Sequence, residues 1–373
     1  METKENHDAH LILRRCIQKV ATGPEYSKDL AFEEARAAMK SILENGADPV
    51  QAAVLLIALR MKRETQEENR GVLQAIRESA DAVTAPVEQV VDIADPYDGF
   101  LRSLPVAPFL PAVLAACGVP AFSHGMERVG PKYGATHHTV LRAAGADVGL
   151  SAQQAAAQLQ DAGWAYVDQS RFCPALHDLA ALRTRIVKRP LLTTVEVLSG
   201  PIRGRRSTHL ITGYVHKAYP PVYLDLAQFA GFDSAAVVRG SEGGITPSLK
   251  QPARLHEVRG DGEAQMRELD PLAIGIRQTS RGVPLPDDLP PAAECGDEIA
   301  AEVDVGALSQ NAAAAGLEAL HGAPGAARDC LIYGGAIVLT HLQKHASMKD
   351  AAAAAAARLD DGEALRRFQA ALG

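Results

Sequence analysis

Aromatic side chains are scarce in this sequence: they make up 5% of 373 residues, with a single tryptophan. A surface that stacks nucleic-acid bases needs many flat rings, so few such platforms are on offer. Tyr214, Tyr219 and Tyr223, close to His216 and Lys217, are the best candidates. Long apolar runs are missing too. The longest, residues 52–59, is far short of the ~20 residues that cross a bilayer, so no membrane contact is expected. The opening METKENHDAH is charged and polar rather than signal-like, and a cytoplasmic location is the expectation. The five cysteines (Cys16, Cys117, Cys173, Cys295, Cys330) are scattered and form no CxxC pair, which fits a reducing compartment and argues against zinc. The formal charge of -7 argues against a surface that is one large polyanion glove, while leaving room for a local basic patch.

What is present is an enzyme-sized globular composition, 47% hydrophobic and 22% charged. Residues 8–80 read as helices, with apolar positions recurring every three or four residues. Residues 80–86 form a hinge into an α/β part that begins near residue 90. From 90 to 140 the chain reads strand (90–94), polar turn (Asp95, Pro96, Tyr97, Asp98, Gly99), helix (about 108–117), strand (119–123), His124-Gly125 and a polar loop. Such a βαβ unit is right-handed and parallel, and parallel sheets bind ligands beyond the carboxyl ends of their strands. The turns 95–99 and 124–138 are therefore expected to face each other across a crevice. Further on, 146–148 leads into a short strand, Ser151 caps a helix, and strands follow at 164–167, 209–215 and 234–239, with a helix at 222–230 between the last two. Residues 246–295 read as short strands and loops, and helices resume near 305.

These features resemble the anthranilate phosphoribosyltransferase family (glycosyltransferase family 3), relatives of the pyrimidine nucleoside phosphorylases. The resemblance rests on the strand–turn–helix–strand order ending in His124-Gly125, on Arg60 to Thr65 between two helices, on Pro174 to His177 and on Gly200-Pro201. It implies an N-terminal helical domain, residues 1–85 completed by about 176–199, and an α/β domain, 86–373, with a mainly parallel central sheet. It also implies a homodimer, for which an amphipathic face from Leu11 to Ile42 packed against a twin is the physical content.

The sequence departs from the family at its reacting end. Where the family carries Gly-Thr-Gly-Gly-Asp-Gly, this chain has Ala94-Asp95-Pro96-Tyr97-Asp98-Gly99: proline has no N–H to offer a phosphate, and tyrosine adds bulk. The family's Asn-Ile-Ser-Thr contacts are absent around 102–106. Its magnesium-binding Asp-Glu pair falls on Ile245 and Thr246, so magnesium stays open as a cofactor but lacks its usual ligands, and no metal site is assigned. Met126 and Glu127 replace the family's Asn-Arg. The phosphate or substrate contacts left are Asp95, Asp98, Gly99, His124, Gly125, Arg128, Lys132, Tyr133, Gly134, Arg239 and Glu242. His137, His138 and Asp98 are the candidate acid–base groups, imidazole titrating near neutrality. Seven bases, Arg183, Arg185, Lys188, Arg189, Arg203, Arg205 and Arg206, face one acid, Glu196, and form a candidate basic patch. Two functions follow. One is a divergent pentosyl- or phosphoribosyltransferase-like protein binding a phosphorylated sugar or nucleotide between the turns. The alternative is a non-catalytic member that binds single-stranded nucleic acid through a basic groove on a homodimer.

Overall fold

The computed structural model describes residues 4–23, 25–44, 46–292 and 303–372; Cys295 lies outside them. Four helices open the chain: α1 (Lys4–Val20), α2 (Phe32–Leu43), α3 (Pro49–Lys62) and α4 (Gln66–Glu78). Asp48 caps α3 by accepting from the Val50 and Gln51 amides, with Pro49 in the first turn. The charged run 60–70 is ordered rather than a solvated turn. Thr65 caps α4, and Glu68, fully buried, accepts from the amides of Thr65 and Leu30 and from Lys62. Helices Ala180–Ile186 and Leu192–Val195 return to pack on α3 and α4.

The face from Leu11 to Ile42 is not available to a twin. Leu13, Cys16, Val20, Leu30, Met39 and Ile42 are all buried in the chain's own core. Exposed apolar side chains of the bundle include Val50 (66%) and Met61 (77%) on α3 and Tyr26 (71%) between α1 and α2.

Two strands, β1 (Val83–Thr84) and β5 (Ile202–Arg203), pair in parallel where the sequence suggested only a hinge. The remaining strands are β2 (Gln89–Ala94), β3 (Ala121–Gly125), β4 (Trp164–Asp168), β6 (Ser207–Tyr214), β7 (Ser234–Arg239), β8 (Ala253–Arg259) and β9 (Gln265–Leu269). They form one sheet in the order β4-β3-β2-β6-β7-β8-β9, parallel as far as β7 and antiparallel beyond. No strand forms at 146–148; that segment is irregular. The Ser151 cap is present, and the residues after β4 form a one-turn helix, Gln169–Phe172.

Both faces of the sheet are covered, which is why its strands read as near-continuous apolar runs. Val90, Phe122, Leu210, Ala235 and Val237 join the core shared with the helical bundle. Their neighbours Val91, Ala121, Ile211, Ala236 and Val238 face the opposite core, which holds the helices Leu110–Ala116, Val305–Leu320, Ala326–His341 and Met348–Asp360. The alternation of side chains along a strand thus assigns each residue to one core. Among the described residues no helix is long and apolar enough to cross a membrane.

Candidate functional site

The two turns beyond β2 and β3 do meet, but the crevice expected between them is filled. Phe100 and Ala135 form an antiparallel bridge, and the Gly134 amide donates to the Asp98 carbonyl at 2.9 Å. Gly99 makes this approach possible: its φ is +76°, and a Cβ there would lie 2.6 Å from the Gly134 and Ala135 backbone. Tyr97 is buried between the turns, its hydroxyl bonded to His124 Nδ1. What remains, beside Gly125, Thr136 and His137, is a cavity of about 10 Å³.

The acid residues of the turn are each engaged. Asp95 accepts from the Ile245 amide at 2.8 Å and meets His137 Nε2 at 3.0 Å. Asp98 meets Arg189 at 2.6 Å. Glu242, on a residue with φ of +53°, accepts from the Leu101 and Arg102 amides at 3.0 and 2.8 Å and pairs with Lys132 at 2.6 Å. Burial opposes the charge on Glu242, but Lys132 and the two amides outweigh it and hold the carboxyl below its usual range. Glu242 therefore belongs to Lys132, and Arg239, exposed at the end of β7, is not its partner.

Around these pairs lies an open cleft of about 640 Å³ between the helical bundle and the carboxyl ends of the strands. The bundle contributes Arg60 and Met61, the segment after residue 186 contributes Lys188, Arg189 and Thr193, and the turns contribute Pro96, Asp98, Pro131 and Glu242. The end of β6 and the helix after it supply Tyr214, His216, Tyr219 and Tyr223, and Arg60 bonds to the Tyr219 hydroxyl. Lys132 sits over the Phe100 ring behind this wall.

Other sequence candidates are elsewhere. His137 and His138 are not in a loop; they begin the helix His137–Ala143 and are buried, His138 with its ring edge-on to Tyr166. Burial lowers the His138 pKa. Neither histidine lines the cleft, so of the three acid–base candidates only Asp98 can reach a ligand there. Tyr133 donates to Thr184, and Arg128 stacks on the Tyr133 ring, away from the cleft.

The basic patch does not assemble. Arg183 is buried and makes a bidentate pair with Glu196 at 2.6 and 2.9 Å; Arg203 donates to the Ala230 and Gly231 carbonyls over the Phe232 ring. Arg206 pairs with Glu88 on another side of the molecule, leaving Lys188 and Arg189 as this segment's cations at the cleft. Helical periodicity in so short a segment did not reveal which arginine points inward.

Sequence reading passed over Asp92. This carboxylate, fully buried in mid-strand, lies 3.0 Å from His124 Nε2. An aspartate inside the run VVDIA was the available signal, because a buried acid needs a partner.

The family's magnesium does not fit the residues as arranged. Asp98 and Glu242 are held by cations, Asp95 by His137 and an amide, and among the described residues no group of three His, Cys, Asp or Glu side chains is placed to hold a metal ion.

Comparison with known proteins agrees with this architecture. The glycosyl transferase family's helical bundle domain matches residues 14–80, and its α/β domain matches residues 103–283. An anthranilate phosphoribosyltransferase of Desulforudis audaxviator is 27% identical over 357 residues, 96% of this chain and 94% of that one. An uncharacterized protein of Aquifex aeolicus is 27% identical over 265 residues, 71% of this chain and 79% of its own length. Among solved structures, the anthranilate phosphoribosyltransferase of Saccharomyces cerevisiae in complex with PRPP and Mg superposes with a TM-score of 0.77 at 15% identity, covering 97% of each chain. The Thermus thermophilus enzyme does so at 0.74 and 20% identity, covering 97% and 98%. At these identities the superpositions carry the fold alone.

Proposed function

The chain belongs to the glycosyl transferase family whose helical bundle and α/β domains it matches, and on that premise we propose that it binds a phosphorylated sugar or nucleotide in the cleft between those domains, using arginine and lysine rather than magnesium. The observation that carries this reading is the pair of ion pairs in the cleft wall, Asp98 with Arg189 and Glu242 with Lys132. In relatives named as anthranilate phosphoribosyltransferases, one is solved with PRPP and Mg. Here the acids are already neutralised by cations built into the chain.

The two pairs differ in firmness. Arg189 is about half exposed, with a side-chain exposure of 48%, while Asp98 beneath it is 4% exposed. The guanidinium reaches solvent and can turn to phosphate oxygens, to which its planar fork offers a bidentate contact, with the buried Asp98 giving up its cation in the exchange. Lys132 and Glu242 are 15% and 8% exposed and anchored by two amides, so this pair acts as fixed structure. Tyr214, Tyr219 and Tyr223 offer flat apolar surface for a base or another ring, and Lys188 adds a second cation at the rim. Because Pro96 and Tyr97 occupy the turn, this is a divergent member rather than a standard anthranilate phosphoribosyltransferase.

Isothermal titration with PRPP in the presence of EDTA tests the reading. Saturable binding is expected. Binding that appears only when magnesium is added would return Asp98 and Glu242 to a metal and overturn it.

The nucleic-acid alternative keeps the three tyrosines but loses Arg183 and Arg203, its inward cations, so the sugar or nucleotide reading is preferred. For a homodimer we place the contact on α3, around Val50 and Val54. Sedimentation velocity is expected to give a dimer that Val54→Arg converts to monomer.

A further inference from the structure

Far from the cleft, at the amino ends of β6 and β7, five side chains form one continuous chain of hydrogen bonds. Ser207 Oγ is 3.1 Å from His209 Nε2, and His209 Nδ1 is 2.8 Å from Ser234 Oγ. Ser234 Oγ is 2.8 Å from His341 Nε2, and His341 Nδ1 is 2.7 Å from Glu257 Oε1. The sheet register builds this line. Ser207 and His209 stand two apart on one face of β6, His209 pairs with Ser234 across the parallel ladder, and Glu257 comes from the neighbouring antiparallel strand. His341, last residue of its helix, is fixed from behind by Arg259, which donates to its carbonyl at 2.8 Å.

With both imidazoles neutral the chain runs in one direction. Arg267, at 2.7 Å, and His341 hold Glu257 ionised against the cost of burial, with its pKa at about 2. An ionised carboxylate only accepts, so His341 donates to it from Nδ1, and in the neutral tautomer its Nε2 accepts from the Ser234 hydroxyl. Ser234 then accepts from His209 Nδ1, which leaves His209 Nε2 unprotonated and facing the Ser207 hydroxyl. Burial lowers the His209 pKa to about 4, so the imidazole is neutral at neutral pH. A serine hydroxyl donating to a neutral imidazole, itself oriented through further groups to a carboxylate, is the arrangement that activates a serine nucleophile.

Access decides which serine reacts. Ser234 is 5% exposed and lies between two imidazoles. Ser207 lines an open hollow of about 420 Å³ with Gln89, Gly118, Arg206 and Lys344. Arg206 is paired at 3.3 Å with Glu88, which also lines the hollow, but is 82% exposed, and Lys344 is a second lining cation.

We propose that Ser207 is the nucleophile of a second reactive site, with His209 as its base, that takes esters of anionic carboxylic acids. Ser207 Oγ bonds to the acyl carbon as its proton passes to His209 Nε2. The ester C–O bond breaks, and the leaving alcohol takes that proton. Water, deprotonated by the same imidazole, then releases the acid and restores the serine. Arg206 and Lys344 bind the substrate's anionic end. Ser234, His341 and Glu257 are positioning residues that fix the His209 tautomer.

The test is labelling with a fluorophosphonate probe, in which Ser207 Oγ displaces fluoride, followed by peptide mapping of the adduct. One adduct, on Ser207, is expected in the wild type. It should be lost in Ser207→Ala and form about a hundredfold more slowly in His209→Gln. Ser234→Ala should slow labelling and Ser234→Thr, which keeps the hydroxyl, should restore it. Ser207→Cys, whose thiol should alkylate faster with iodoacetamide than the buried cysteines, covers the case in which Ser207→Ala fails to fold. PRPP binding at the cleft is expected to be unchanged in Ser207→Ala. No adduct on the folded wild type, or an adduct on Ser234 or elsewhere that survives Ser207→Ala, would overturn the proposal.

Discussion

At the carboxyl ends of β2, β6 and β7, ionisable side chains come as acid–base pairs around an open cleft; at the amino ends of β6 and β7, they are strung in a line that runs inward from a surface hydroxyl to a buried carboxylate. The first end joins groups brought from separate parts of the chain, Asp98 with Arg189 and Lys132 with Glu242, so each pair ties two segments together. The second end is built on strand register, with residues two apart on β6 and opposite one another on β6 and β7. Pairs across a cleft can exchange partners with a ligand. A line held by a ladder cannot move apart, and is suited to fixing tautomers.

Several measurements would break or sharpen this contrast. The largest effect is expected at the support of the cleft wall. Arg183→Ala leaves Glu196 charged and fully buried, and is expected to destabilise the protein by about 3 to 5 kcal/mol in urea unfolding. A loss under 1 kcal/mol would mean that the wall does not depend on this pair. Next, Gly99→Ala forces a Cβ into the backbone of Gly134 and Ala135 and strains a positive φ. It should cost about 1 to 3 kcal/mol and open the joined turns, read as faster amide exchange at Gly134. Unchanged exchange would show that the bridge between the turns is not held by that close approach.

A smaller, pH-dependent effect belongs to the other end of the sheet. The folded protein lowers the His209 pKa from 6.5 to about 4. A group depressed in this way contributes stability above its unfolded pKa, and that contribution is lost as pH falls through the window from 6.5 to 4. The melting temperature of the wild type should therefore fall across that window more steeply than that of His209→Gln. Parallel curves would remove His209 from the acid response and weaken the case for a neutral imidazole in the line.

The two ends also differ in how far the sequence revealed them. Strands β2, β3, β4, β6 and β7 were legible because a sheet covered on both faces requires apolar runs, and the polar turns after β2 and β3 were recognisable by their composition. The occupants of the cleft wall were legible as residue types: Asp98, Lys132, Glu242 and Arg189 all appeared among the candidates. Their pairing was not, because Arg189 and Asp98 are 91 residues apart and only the tertiary fold brings them together. Charge counting misplaced Arg183, which looks like its neighbours in sequence but points into the core. The line at the amino ends gave no signal at all. His209 read as an ordinary strand residue, Ser207 fell outside the strand expected at 209–215, and His341 lies 107 residues from the serine it meets.

Two substitutions at one ion pair test the central claim, that Arg189 serves the ligand and Asp98 merely holds it in waiting. PRPP affinity measured by isothermal titration in EDTA should fall about tenfold in Arg189→Gln, a change of roughly 1.4 kcal/mol, and should stay level or rise in Asp98→Asn, which frees the guanidinium. Loss of binding in Asp98→Asn, with Arg189→Gln unaffected, would contradict the account and assign the aspartate, not the arginine, to the ligand.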